Sequence, residues 1–181
     1  AVLREVGNRR AEGVVLGNLG VVSINQGRHA EARGWYDAAL ALHREVGNRS
    51  DEGTVLVNLG VLSFEQGRVD EARAAFELAL PIGREVGAPL FEASLLSNLG
   101  HVSRVVGQMD DARARYEAAL AAYREAGDRR AEGIALDDLG ALEADLGRIG
   151  AARDCLGLAL VALREVGDRR SEAYALGGIG T

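Results

Sequence analysis

The sequence predicts an all-α protein built as a solenoid of stacked antiparallel helix pairs. The first observation is self-similarity: REVG stands at 4–7, 44–47, 84–87 and 164–167, with REAG at 124–127, a period of 40 residues. A fixed period of this length marks an array in which each unit buries its apolar face against its neighbours. The second is helical spacing of the apolar residues inside each unit. Val15, Leu16, Leu19 and Val22 fall on one stripe, and Ala32, Tyr36, Ala39 and Leu40 on another. The third is punctuation: glycine recurs at the same places in each unit, between the stripes as well as at the unit boundary.

The elements follow in order. Residues 1–6 match 41–46 and are expected to end a preceding second helix. Full repeats are predicted at 7–46, 47–86, 87–126 and 127–166, with a partial fifth at 167–181. In the first, helix A spans about 9–26 and helix B about 29–46. Gly27, with Gly67, Gly107 and Gly147 after it, suits a left-handed residue just past a helix end. Asn8, Asn48, Asp128 and Asp168 read as N-caps. In the third repeat Pro89 follows Ala88, and the first helical position tolerates proline best. Glu12, Glu52, Glu92, Glu132 and Glu172 suit the positive end of the helix dipole. Gly20 and its counterparts lie in mid-helix at a cost of about 1 kcal/mol against alanine. That cost implies close helix approach, with residues such as Ala32 and Ala39 expected as the small partners. Pro81 is expected to remove one backbone bond from its helix and bend it.

Composition narrows the function classes. A hydrophobic content of 48% argues against disorder, and a net charge of −6 disfavours nucleic-acid binding. All 21 basic residues are arginine, a pattern that fits coding bias in a GC-rich genome. Cys155 is the single cysteine, so no disulfide framework is possible within the chain and a reducing, cytoplasmic setting is expected. No apolar run approaches transmembrane length.

The repeated residues resemble the tetratricopeptide repeat over essentially the whole chain. Leu19-Gly20, Gly27, Ala32, Tyr36 and Ala39 carry the resemblance in the first unit. Leu59-Gly60, Gly67, Ala72, Phe76 and Ala79 repeat it, as do Leu99-Gly100, Gly107, Ala112, Tyr116 and Ala119. The fourth unit keeps Leu139-Gly140, Gly147, Ala152 and Ala159 but has Leu156 in place of the aromatic residue. The common motif has about 34 residues. This longer one is similar to the variety in cell-polarity adaptors, kinesin light chains and bacterial signalling and regulatory proteins. Two positions depart from the pattern: leucine (Leu16, Leu56, Leu96, Leu136) replaces the early bulky residue of helix A. Ser23, Ser63, Ser103 and Glu143 replace its later aromatic residue. The resemblance implies a right-handed superhelix whose helices A line a concave groove.

No catalytic constellation is legible. His29, His43 and His101 occupy different repeat positions and make no metal-ligand spacing with Cys155. Asp110-Asp111 and Asp137-Asp138 are expected to be solvated, adjacent helical residues pointing about 100° apart. Arg33, Arg73 and Arg113 are expected to pair along their own helix with Asp37, Glu77 and Glu117 four residues on. No cofactor and no enzyme activity are expected.

The groove set implied by the resemblance is more informative. Asn18, Asn58 and Asn98 form a ladder of amides that Asp138 continues. An amide offers two donors and an acceptor, enough to hold an extended peptide backbone. The alternative is that these residues bond neighbouring helices and hold repeat spacing. Val14, Val21, Val57 and Val61 make the first two repeats apolar there, Arg104 beside His101 marks the third, and Asp137, Asp138 and Asp145 the fourth. The leading expectation is a protein- or peptide-binding scaffold. The alternative is a structural spacer or self-association array within a larger bacterial signalling or transcription-regulatory protein. A third class is a sensor of a small ligand or peptide pheromone. End-to-end association is expected through Val2, Leu3, Tyr174, Leu176 and Ile179. Neither nucleic acid nor membrane is expected as a partner of this segment.

Overall fold

A computed structural model describes residues 8–179 and contains, among them, nine α-helices and no strand. They are α1 (Arg9–Asn25), α2 (His29–Glu45), α3 (Arg49–Glu65), α4 (Val69–Glu85), α5 (Pro89–Val105), α6 (Met109–Ala126), α7 (Arg129–Asp145), α8 (Ile149–Glu165) and α9 (Arg169–Ile179). The chain divides into two compact units, Ala1–Ala88 and Pro89–Thr181. In the first, α1 packs on α2, α3 on α4, and α2 on α3. The second repeats this scheme with α5 on α6 and α7 on α8, joined by α6 against α7, and α9 follows on α8.

Local chemistry sets the helix ends. Asn8 accepts from the Ala11 amide at 3.0 Å, and Asp128 from Ala131 at 3.0 Å. At the other end of α1, Gly27 adopts φ 71°. Its amide bonds the Ile24 carbonyl and the Arg28 amide bonds Ser23, both at 2.8 Å, which closes the last turn in a Schellman motif. Pro89 is the first residue of α5, as its fixed φ favours. The helix α4 continues through the exposed Pro81.

The mid-helix glycines are explained differently from the sequence expectation. In the first three repeats the nearest partners are rings rather than the small residues of the Ala32 and Ala39 type. A β-carbon on Gly20 would collide with the ring of Tyr36, on Gly60 with Phe76 and on Gly100 with Tyr116. In the fourth repeat the same place meets Cγ of Leu156 at 2.8 Å. The buried alanines let the backbones approach, and the glycine then makes room for the large side chain between them.

The arginines of the second helices reach further than the sequence suggested. Arg33 donates to Glu71 of α4 at 2.6 Å and to Ser63 of α3 at 2.7 Å, so it ties one helix pair to the next. Arg113 pairs both with the buried Glu143 of α7 and, at 3.9 Å, with its expected partner Glu117 on the same helix. This gives Ser63 and Glu143, which replace the expected aromatic residue, a polar role at the joint.

A second set of ion pairs links consecutive repeats. Arg44 and Arg49 both donate to the buried Glu52, at 2.9 and 2.6 Å. Arg124 and Arg129 do the same for Glu132, at 2.9 and 2.5 Å. Among the described residues no helix is long and apolar enough to cross a membrane.

Candidate functional site

The first helix of each pair presents the residues singled out from the sequence. In the first unit a cavity of about 180 Å³ lies between α1 and α3, walled by Val21, Ile24, Tyr36, Asn58, Val61, Leu62 and Glu65. It brings Asn58 together with two of the expected valines. Asn18 is exposed on α1 and does not line this cavity, and Val14 is likewise exposed.

The second unit holds two larger cavities. One of about 320 Å³ is lined by Ser94, Ser97, Asn98 and His101 of α5, by Tyr123 of α6, by Asp128 at the α7 cap, and by Arg130, Ala131, Ile134 and Asp138 of α7. The other, about 290 Å³, is lined by Arg104, Asp137, Gly140, Ala141, Ala144, Asp145, Leu156 and Tyr174. Asp137 and Asp138 therefore serve different cavities, as their angular separation on α7 requires. The structure groups Asn98, His101 and Asp138 in one place, and Arg104 with Asp137 in the other.

Asp138 corrects the expectation of a solvated pair: it is 9% exposed. Burial, reinforced by the charge of Asp137, raises its carboxyl to about 7, against a lowering by Arg104. Asp137 is half-buried and its carboxyl is also raised, by burial, with Arg104 opposing. Helices α5 and α6 pack over α7 here and exclude the water that a lone helix would offer.

His101 is the hinge of a small polar network. Its Nδ1 lies 3.0 Å from the hydroxyl of Tyr116, ring edge to ring face, and its Nε2 lies 3.4 Å from Oδ2 of Asp138. Burial, and then the charge of Arg104, lowers the imidazole to about 4. Tyr116 is raised, by burial and by Asp138, so its hydroxyl keeps its proton. With its hydroxyl protonated, Tyr116 donates to Nδ1, which leaves the imidazole proton on Nε2, facing Asp138 but too far for an ordinary hydrogen bond.

Arg104 is engaged within the fold. Its Nε donates to Asp145 at 2.5 Å, and that bond raises its already high pKa. Nor is it the sole arginine on this face, since Arg130 lines the larger cavity and donates to Asp168 at 2.7 Å. Tyr123 and Arg130 were not legible as site residues. The available signal was variation inside a uniform segment: Tyr123 stands where the other repeats have His43, Gly83 and Leu163. Among the described residues no group of three or more His, Cys, Asp or Glu side chains is arranged to hold a metal ion.

Comparison with known proteins agrees with this architecture. The family described as tetratricopeptide repeat matches residues 12–85 and 91–165. A search of curated proteins returns no match. Among solved structures, the apo form of RapI is similar with a TM-score of 0.86 at 16% identity, over 96% of this chain and 63% of that one. Aspartyl phosphate phosphatase F from Bacillus subtilis is similar with a TM-score of 0.85 at 14% identity, over 92% of this chain and 44% of that one. BtubC from P. vanneervenii gives 0.81 at 19% identity, over 95% and 72%. The chain thus spans between about two fifths and three quarters of the length of these proteins. At such identities the likeness is one of fold.

Proposed function

This chain belongs to the tetratricopeptide repeat family, and on that premise we propose that it is a non-catalytic scaffold that docks a segment of a protein partner against its first helices. The family typically mediates protein interaction, and its members are generally not catalysts. The observation that carries the reading is the clustering of Asn58 and Asn98 with exposed or half-buried neighbours in cavities on α3 and α5. In each unit such a cavity combines an apolar wall with an amide able to hold a peptide backbone. The units are taken as four 40-residue repeats with partial ends, and the cytoplasm as the compartment.

The test is the double variant Asn58→Ala, Asn98→Ala against a partner isolated with the intact protein. Loss of affinity for every peptide alike, by about 1 kcal/mol per net hydrogen bond, supports the reading. Unchanged affinity assigns the amides to repeat spacing and overturns it.

A second reading, an array that stacks on further helices, draws on α1. Val15, Leu19 and Val22 are exposed there, while Val55, Leu59 and Leu62 at the same repeat positions are buried. On α3 the preceding second helix, α2, packs against these positions. Of the residues expected to associate end to end, Tyr174 and Leu176 are exposed, whereas Val2, Leu3 and the side chain of Ile179 lie outside the described residues. Sedimentation at rising concentration tests this reading, and a strict monomer counts against self-association.

A further inference from the structure

Asp138 stands in the wall of the 320 Å³ cavity with its Oδ2 buried and accepting no hydrogen bond. The nearby Nε2 of His101, at 3.4 Å, is beyond ordinary hydrogen-bond length. Leaving a buried carboxylate oxygen without a donor is costly, and each such group in a native protein calls for an explanation.

The charges around it sharpen the case. On α5, Arg104 is bonded to Asp145, and His101 is neutral with its imidazole at about 4. From α6 come Tyr116 and Tyr123, both raised by burial and both protonated at neutral pH. On α7 Arg130 is bonded to Asp168, and at its cap Asp128 accepts the Ala131 amide. Both arginines are thus matched by a carboxylate, while Asp137 and Asp138 add negative charge to α7. Beside Asp138 the same cavity offers the Asn98 amide, two serine hydroxyls and the ring of Tyr123. These are acceptors for N–H donors and an aromatic face that favours a cation.

We propose that this cavity receives one cationic side chain of the docked segment, an arginine guanidinium or lysine ammonium, with Asp138 as its counter-charge and Asn98 as a neutral acceptor. The proposal rests on the docking reading above and adds charge specificity to it. Its volume suits one long side chain entering from the first-helix face. Burial and Asp137 hold the Asp138 carboxyl near 7, so an arriving cation converts a partly protonated group to the carboxylate. Binding therefore releases a proton near neutral pH, and affinity rises as pH rises through that value.

The probes are two acetylated, amidated alanine pentapeptides, one with a central arginine and one with a central citrulline. They are titrated into the whole chain and followed by amide NMR shifts. The expected result is shifts at Asn98, Ala131 and Ile134 and binding of the arginine peptide tighter by about tenfold or more, the scale of a charge-assisted hydrogen bond. That preference disappears in Asp138→Asn and persists in Asp110→Asn, a substitution of an exposed residue of α6. Calorimetry of the unaltered protein in two buffers of different ionisation enthalpy gives a second measure, and expects proton release on binding the arginine peptide. Equal binding of both peptides at these residues overturns the cation site and leaves the docking reading intact. Shifts confined to other residues, or binding without proton release, also overturn it. Failure of docking itself is read separately, from the Asn58, Asn98 double variant.

Discussion

A β-carbon on Gly100 would stand 2.5 Å from Cε1 of Tyr116, closer than real side chains approach. The ring is fully buried, with its hydroxyl fixed to His101, so it has nowhere to retreat. Glycine is therefore kept here for the space above its Cα rather than for backbone freedom.

Gly60→Ala, opposite the buried Phe76, is accordingly expected to destabilise the protein. Overpacking costs about 1–3 kcal/mol, against about 1 kcal/mol gained in helix propensity. Gly34→Ala is the opposite case: nothing lies within 4 Å of its β-position on α2. It is expected to stabilise by up to about 1 kcal/mol. Thermal unfolding followed by circular dichroism separates them, and shifts of equal sign would refute the argument.

Ala88 occupies the position at which Asn8, Asn48 and Asp128 cap their helices with a side-chain oxygen. Ala88→Asp supplies that acceptor to the amides at the start of α5. The expected gain is about 0.5–2 kcal/mol, or about 2–4 °C in Tm for each kcal/mol in a chain of this size. An unchanged or lowered Tm would show that the α5 amides are already satisfied.

Asp138 carries a stability cost that depends on pH. Its folded pKa, about 7, lies above the ordinary value of about 3.9, so the fold favours the protonated form. Stability is lost as pH rises between those two values and stays lost above the upper one. Asp138→Asn is therefore expected to be more stable than the unaltered protein at pH 8, with the difference shrinking towards acid. Urea unfolding at pH 5 and pH 8 checks this, and a pH-independent difference would count against it.

Glu132 behaves in the opposite sense. Burial alone would raise its carboxyl, but hydrogen bonds from Arg124 and Arg129 more than reverse that and leave it low. Its contribution is present above about pH 4.3, the unfolded value, and is lost as pH falls through the folded one. Glu132→Gln is expected to cost about 1 kcal/mol at pH 7, discounted because both arginines are partly solvated. The difference should close in acid, and the same denaturant series at pH 3 tests that closure.

What the sequence disclosed follows from the range of each interaction. The caps at Asn8 and Asp128, the turn at Gly27 and the start at Pro89 depend on a few consecutive residues, and they were legible. The placement of Asn58 on α3 and Asn98 on α5 followed from helical spacing together with the family resemblance. The partner of Gly60 was not legible, because alanine and phenylalanine on the facing helix both recur at the same period. The burial of Asp138 was hidden for another reason: α5 and α6 remove its water, and no spacing along α7 itself encodes their approach. Arg33 likewise turned away from Asp37 because Glu71 and Ser63 lie on the next pair, at a distance no intrahelical spacing encodes.

The inner pairings of the first turns have a consequence for how the chain finds itself. With near-identical caps, turns and stripes, a first helix could pair with the wrong second helix at little cost, a kind of kinetic trap familiar in repetitive chains. Gly13 receives the ring of His43, whereas Gly133 receives Leu163, and Tyr123 stands at the corresponding place on α6. These unlike residues at one recurring position act as a key, rewarding each helix for meeting its own neighbour rather than a copy. Making position 43 match position 163 would leave every local signal intact and remove one distinction by which the chain tells its repeats apart.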